Sequence, residues 1–195
     1  MAADSGRVLS RRPVLFLDID DTVCLHRPYG GYDVLRALIT ERQGQVPLDS
    51  HHDLWARLLD SRAIHRLLLL HEEFSPTYVL STSWARIFDE ASLRRILSLA
   101  GLGFVVSNLH EGPASTVGSP NARCQDMRTW LNAHSECAEL WVVVGDERSG
   151  TGLLYDGLSA LQKFIVICPP RAGLTNVVYR KLRDALLARV QSPCG

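Results

Sequence analysis

The sequence predicts an α/β fold: a three-layer sandwich in which helices cover both faces of a five-stranded, mainly parallel, Rossmann-like sheet. Five short apolar runs lack polar alternation and end in small or polar residues, which is typical of buried parallel strands. Helical patterns lie between these runs, so that strand and helix alternate along the chain. The predicted strands are Val14–Ile19, Tyr78–Ser81, Phe104–Ser107, Leu140–Gly145 and Phe164–Cys168.

The predicted helices follow apolar residues that recur at a spacing of about 3.6. The longest one extends from His51 to Glu73, and the others are Val34–Glu41, Ala91–Ala100, Asn121–His134 and Asn176–Val190. Two irregular stretches that contain Gly and Pro, Cys24–Tyr32 and Asn108–Pro120, follow strand ends. Because open α/β sheets bind ligands beyond the carboxyl ends of their strands, we expect the functional site beside these two loops.

The length of 195 residues fits one domain with a substantial core. We expect residues 13–195 to form that domain and the polar residues 1–12 to be a flexible leader. No apolar run approaches the roughly 20 residues needed to span a bilayer, and the leader lacks the apolar stretch of a secretory signal, so a cytoplasmic protein is expected. With 21 basic and 21 acidic residues, no overall charge attracts nucleic acid or anionic lipid.

Neither the cysteines nor the histidines follow a known metal-binding spacing. The five cysteines are scattered without a CxxC pair, which favours reduced thiols over a disulfide framework. The seven histidines show neither an HxH nor an HExxH spacing. A zinc site is therefore not expected from the sequence.

The strongest local pattern is an apolar strand that runs directly into Asp18, Asp20 and Asp21. Carboxylates crowded together repel one another unless a cation compensates, so a hard metal with oxygen ligands is the natural partner. The alternative is that the acids cap a helix or solvate a turn. A calcium-binding EF-hand loop is a poorer match, because Val23 stands where that loop needs glycine and Tyr29 where it needs glutamate.

The order Asp-x-Asp-x-Thr after an apolar strand, here Asp18, Asp20 and Thr22, resembles the first motif of the haloacid dehalogenase-like (HAD) superfamily. The resemblance implies a magnesium-dependent phosphatase. Asp18 would attack phosphorus to form an aspartyl-phosphate, and Asp20 would protonate the leaving group and later deprotonate water. Asp21 occupies a position that is often glycine in the family.

The second motif of the family is an apolar strand ending in Thr or Ser, which hydrogen-bonds the phosphoryl group. Thr82 is the preferred residue, with Ser81 as the alternative and Ser83 beside them. The order Thr-Ser-Trp, ending at Trp84, is similar to the HAD domain of Swiss Army Knife RNA repair proteins. Two alternatives stay open: a strand-end hydroxyl equally often caps a helix, and Trp84 equally often packs in a core as frames a pocket.

The third motif supplies a cation that neutralises the nucleophile and the phosphate. Arg123 is the first choice and Arg128 the second. Arg123, Met127, Trp130 and Leu131 repeat the spacing of the RNA-repair group, although that group has lysine at the first position. The alternative is an ordinary surface arginine. Guanidinium keeps the charge but offers a fork of donors instead of a point charge.

The fourth motif is an apolar strand that ends in acids, matched by Trp141–Glu147. Asp146 would bind Mg²⁺ directly, and Glu147 would act less directly, through a metal-bound water. The resemblance thus implies a metal site made by Asp18, Asp146, Glu147 and the backbone carbonyl of Asp20.

The intervals after the first and second motifs are too short for a cap domain with its own core, so we expect a capless or minimally capped, open site. Thr22 and His26 would contact the substrate. The expected substrate is a phosphomonoester on a macromolecule, such as an RNA or DNA end or a phosphoprotein. A silent module that binds a phosphorylated partner and a phosphotransferase remain alternatives, and the oligomeric state is open.

Overall fold

The structure is a computed structural model that describes residues 12–111, 122–135, 140–147 and 159–191. Within these residues, four parallel strands form one sheet in the order β2-β1-β3-β4. The strands are β1 (Val14–Leu17), β2 (Thr77–Leu80), β3 (Trp141–Asp146) and β4 (Ile165–Cys168). The α/β class and the parallel sheet are confirmed, but the predicted number of five strands is wrong, because Phe104–Ser107 is not a strand.

Seven helices lie in the described ranges: α1 (Gly31–Arg42), α2 (His52–Arg57), α3 (Ser61–Phe74), α4 (Glu90–Leu99), α5 (Gly103–Ser107), α6 (Ala122–Ala133) and α7 (Asn176–Gln191). Short 3₁₀ turns cover Leu48–Ser50, Ser83–Arg86 and Ser159–Phe164. Four predicted helices are confirmed within a few residues, as α1, α4, α6 and α7. None of the described helices is both long and apolar enough to cross a membrane.

The segment predicted as the third strand, Phe104–Ser107, is the short helix α5. Leu102 and Val105 are both buried, which is a helical spacing of three residues, and the N–H of Val106 donates to the carbonyl of Leu102 at 3.1 Å. Strand pairing at this edge of the sheet is reduced to one bridge between Tyr78 and Leu109. An apolar run of this length is compatible with a strand or a helix. Here the burial of Leu102 and Val105 on one side favours the helix.

The helix predicted over His51–Glu73 is divided into α2 and α3. Asp60 caps α3, since its carboxylate accepts a hydrogen bond from the N–H of Ala63 at 2.9 Å. The N–H of Asp60 donates to the carbonyl of Val23 at 2.8 Å. An aspartate that caps a helix and bonds a neighbouring turn favours a new helix start over continuation.

Strand β1 lies between β2 and β3, and its residues are buried. Leu15 pairs with Tyr78, so Phe16 points to the opposite face from Tyr78, because side chains alternate along a strand. The ring of Trp130 on α6 packs edge-on against Phe16 at 5.3 Å between centroids, and the ring of His71 on α3 stacks on Tyr78 at 6.0 Å. Helices therefore cover both faces of the sheet.

The interval between β1 and α3 joins the same core as the sheet. Val34, Leu38, Trp55 and Leu58 are buried in one cluster with the strands, and the Trp55 indole donates to a backbone carbonyl at 2.8 Å. In the described part of the chain, this interval has no separate core.

The loop after β4 is seated against the turn after β1. The N–H of Leu174 donates to the carbonyl of Thr22 at 2.9 Å. Gly173 has a φ of +62°, and a Cβ atom at this position would lie 2.7 Å from the same Thr22 oxygen. Both the left-handed backbone and the close approach require glycine here.

We predict that Gly173→Ala destabilises the fold more than Gly44→Ala, a matched control with a φ of +71° and no atom within 4 Å of the added Cβ. Gly44→Ala should lower the free energy of unfolding by about 1–2 kcal/mol, the strain of a left-handed alanine. Gly173→Ala should lose a further 1–3 kcal/mol or so from the clash with backbone. Urea denaturation measures both, and equal losses would contradict the proposed contact.

Candidate active site

Asp18 lies one residue beyond β1 and is only 1% exposed. Its N–H donates to the carbonyl of Val144 on β3 at 3.0 Å. Its Oδ1 accepts a hydrogen bond from the N–H of Ile19 at 2.8 Å. The carboxylate is therefore fixed at the centre of the carboxyl edge of the sheet, and it is much less exposed than an open site predicts.

Asp20 is held by two side chains of the turn that follows β2. Its Oδ2 accepts a hydrogen bond from the Ser83 hydroxyl at 2.7 Å, and its Oδ1 accepts one from the Trp84 indole N–H at 2.7 Å. Hydrogen bonds to a carboxylate are short and comparatively strong. Together they fix the orientation of the Asp20 carboxylate, whose side chain is 25% exposed.

Trp84 packs in the core and also bonds a predicted site residue, Asp20. The side chain is buried, and its ring packs against Phe88 at 5.7 Å between centroids. The indole N–H faces the site through Asp20. Gly31 makes room for it, since a Cβ atom there would lie 3.3 Å from the indole nitrogen. The sequence motif did not reveal this direct bond to Asp20.

The four hydroxyl residues that were predicted to contact phosphate have different surroundings in the structure. Ser83 donates to Asp20, whereas Thr82 caps the 3₁₀ turn, with its Oγ1 accepting from the N–H of Trp84 at 3.4 Å. Ser81 is 6% exposed, and its backbone N–H bonds β1. Thr22 is buried. In the described residues its Oγ1 makes no hydrogen bond of ordinary geometry, although it lies near enough to Cys168 to lower the pKa of that thiol.

The acids of the first and fourth motifs converge around Cys168. Asp146 ends β3 and pairs in register with Cys168 on β4. Burial is the main cause that raises the pKa of the Cys168 thiol to about 12, and the charges of Asp18, Asp146 and Asp21 raise it further. These carboxylates therefore lie within electrostatic reach of one point at the sheet edge. Glu147 is exposed.

Oxygen donors at this edge fit the magnesium ion that the motifs imply. Asp18 follows β1 directly and Asp146 ends the neighbouring strand, and carboxylate oxygens are the ligands that Mg²⁺ prefers. Both side-chain oxygens of Asp20 already accept hydrogen bonds, from Ser83 and Trp84. The expected contribution of Asp20 through its backbone carbonyl is consistent with that arrangement.

The predicted third-motif cation lies at the start of α6. Arg123 is in the first turn of that helix, but its side chain falls outside the described part of the structure. Met127 and Trp130, four and seven residues later, are buried. A crossover helix runs antiparallel to the strands, so the start of α6 lies at the same sheet edge as Asp18. Arg128 is half-buried further along α6.

His26 lies beside Asp20, in the loop of residues 21–30 that we call the flap. Its Nε2 is 3.4 Å from Asp20 Oδ1, and its side chain is 48% exposed. Cys24, in the same flap, is fully buried, and burial is the main cause that raises its pKa to about 12. His26 is thus placed at the accessible side of the acid, where a substrate contact was predicted.

The family model described as the HAD domain in Swiss Army Knife RNA repair proteins matches residues 14–178. That range includes all the motif residues discussed above. No curated protein and no solved structure matches the chain.

We predict an energetic coupling between Trp84 and Asp20. Trp84→Phe should lower the free energy of unfolding by about 1.5–3 kcal/mol, because it removes a donor from a carboxylate. In a double-mutant cycle with Asp20→Asn, the two losses should be non-additive by at least about 0.5 kcal/mol. The control is Trp55→Phe, which loses a hydrogen bond to a neutral carbonyl and should combine additively with Asp20→Asn. Additivity in both cycles would contradict the coupling.

Proposed function

The chain belongs to the family of HAD domains found in Swiss Army Knife RNA repair proteins, and on that premise we propose that it is a phosphomonoesterase that acts through a covalent intermediate on Asp18. The observation that carries the proposal is that two carboxylates at one strand end differ in burial and in their hydrogen-bond partners. Asp18 is buried and fixed by backbone, and Asp20 is partly exposed and oriented by Ser83 and Trp84. These are the environments that a nucleophile and an acid/base group need.

In the first step, an oxygen of Asp18 attacks phosphorus and the bond from phosphorus to the ester oxygen breaks. Asp20 donates its proton to that leaving oxygen. In the second step, Asp20 removes a proton from water as the water oxygen attacks phosphorus, which breaks the bond to Asp18 and releases inorganic phosphate. Ser83 and Trp84 hold Asp20 in one orientation through both steps, so that the same carboxylate serves as acid and base.

Charge on the phosphoryl group has to be neutralised at a sheet edge that is itself acidic. Mg²⁺ bound by Asp18 and Asp146 would supply positive charge to the phosphoryl oxygens and offset the repulsion between them and the carboxylates. Arg123, at the start of α6, is the proposed protein cation. Thr82 is the proposed hydroxyl contact of the phosphoryl group, with the Ser81 hydroxyl as the alternative.

We infer that the substrate is the terminal phosphate of a nucleic acid. The family description names RNA repair proteins. The interval between β1 and α3 has no separate core in the described residues, so it supplies no independent cap to enclose a small metabolite. Since Asp18 is only 1% exposed, a phosphate at a chain end reaches it more easily than one flanked by bulky groups.

Asp18→Asn should abolish turnover while the protein stays folded, because the amide is nearly isosteric but is not a nucleophile. We expect a loss of at least about a hundredfold in kcat. Release of inorganic phosphate from a phosphorylated oligonucleotide measures it, with circular dichroism as the check on folding. Asp184→Asn, on the exposed face of α7, is the matched control and should retain full activity. Activity of Asp18→Asn comparable to this control would refute the assignment.

Metal dependence separates the roles of the other two acids. EDTA should stop turnover and Mg²⁺ should restore it. Asp146→Ala should raise the Mg²⁺ concentration needed for half-maximal activity by about tenfold or more, because a direct ligand is lost. Asp20→Asn should leave that concentration nearly unchanged and lower kcat by about 10²–10⁴-fold. Full activity in EDTA would rule out the metal-dependent mechanism.

Substrate preference tests the proposed nucleic-acid end. A phosphorylated oligonucleotide should be hydrolysed with a kcat/KM at least about tenfold above that of small sugar phosphates, or about 1.4 kcal/mol of additional transition-state stabilisation. A side-by-side kinetic comparison at one Mg²⁺ concentration measures the ratio. A sugar phosphate that ranks first would exclude this substrate class.

A further inference from the structure

Three side chains of different chemistry meet beside the flap: those of Asp20, which precedes it, and of Cys24 and His26, which belong to it. One ligand atom from each lies within 4.8 Å of the others. We call these three residues the flap cluster; among the described residues it is the one such group of three. The His26 Nε2 to Asp20 Oδ1 distance is 3.4 Å, close to the separation of about 3.3 Å between two ligands at 2.0–2.1 Å from one tetrahedral ion.

The backbone of the flap builds this arrangement. The N–H of Cys24 donates to the carbonyl of Ile19 at 2.9 Å, and the N–H of Asp21 donates to the carbonyl of Cys24 at 2.8 Å, which turns the chain back beside Asp20. His26 has a φ of +56°. Its ring is confined by Gly30, where a Cβ atom would lie 2.6 Å from Nδ1. The histidine therefore reaches Asp20 because position 30 is glycine.

We propose that the flap cluster binds one thiophilic divalent cation of the zinc class. Sulfur, imidazole nitrogen and carboxylate oxygen suit zinc-like ions, whereas Mg²⁺ prefers oxygen ligands alone. The cation binds Cys24 as the thiolate, and the thiol proton leaves to solvent. Water completes the tetrahedron. Asp20 belongs to both sites: its side chain would bind this cation, and its backbone carbonyl would bind the hard cation held by Asp18 and Asp146.

Access to the flap cluster is one-sided. His26 and Asp20 are 48% and 25% exposed in their side chains, whereas Cys24 is fully buried. The ion therefore enters past His26 and Asp20 and reaches Cys24 last. Because Asp20 would then ligate the ion, it is no longer free to transfer a proton. The consequence, which rests on the proposed function, is inhibition by zinc that excess Mg²⁺ does not relieve.

Cadmium is the probe for binding, because a cadmium–thiolate bond produces an ultraviolet charge-transfer absorption that does not depend on activity. The wild-type protein should bind one equivalent with this absorption. Cys24→Ser should lose the absorption, and His26→Gln should weaken cadmium binding by at least about tenfold. Gly30→Ala keeps all three ligands but displaces the His26 ring, so it should weaken binding as well. The controls His52→Gln, an exposed histidine of α2, and Cys168→Ser should bind as the wild type does.

The proposal is overturned if Cys24→Ser keeps the absorption, or if His26→Gln and Gly30→Ala bind cadmium as tightly as the wild type. A zinc titration of phosphate release at saturating Mg²⁺ tests the inhibition separately. His26→Gln should shift the inhibitory concentration upward by at least about tenfold. Cadmium binding without any phosphatase activity would refute the proposed function and leave the metal site standing. Activity whose zinc sensitivity is unchanged in His26→Gln would refute inhibition through this site.

Discussion

The architecture depends on the parallel pairing of β1 with both of its neighbours. Because β1 is hydrogen-bonded to β2 and β3 in register and is buried along its length, its carboxylates emerge at one edge only. The same edge receives the end of β2, with Ser81 to Ser83, and the end of β3, with Asp146. An antiparallel neighbour would have delivered its last residues to the opposite edge. The direction of three strands therefore brings together residues that are far apart in sequence.

The orientation of the partly exposed acid is tied to the packing of the core. Asp20 accepts hydrogen bonds from Ser83 and Trp84, and Trp84 is itself packed on Phe88 and against Gly31. A carboxylate near solvent is ordinarily free to rotate. Here its geometry is set by an aromatic ring that the core holds, so disturbances of packing around α1 and α4 are transmitted to the acid.

Features encoded in a few consecutive residues were predictable, and features that depend on distant contacts were not. The apolar runs that lead to Asp18 and Asp146 predicted both a buried strand and the carboxylate at its end. The run Phe104–Ser107 is too short for periodicity to separate helix from strand, and Asp60 divided a helix by bonding to Val23. The Asp20–Trp84 bond spans 64 residues and depends on side-chain rotamers. The proximity of Cys24 and His26 depends on a left-handed residue that no spacing rule detects.

The shared core of the β1–α3 interval limits how this domain is able to change in evolution. Val34, Leu38 and Trp55 are buried with the strands, so the interval is not a module that is gained or lost as a unit. Residues 43–47, between α1 and the Leu48–Ser50 turn, are instead all exposed. Insertions are tolerated where backbone and side chains lie outside the core. New sequence is therefore accommodated at this loop without repacking the domain.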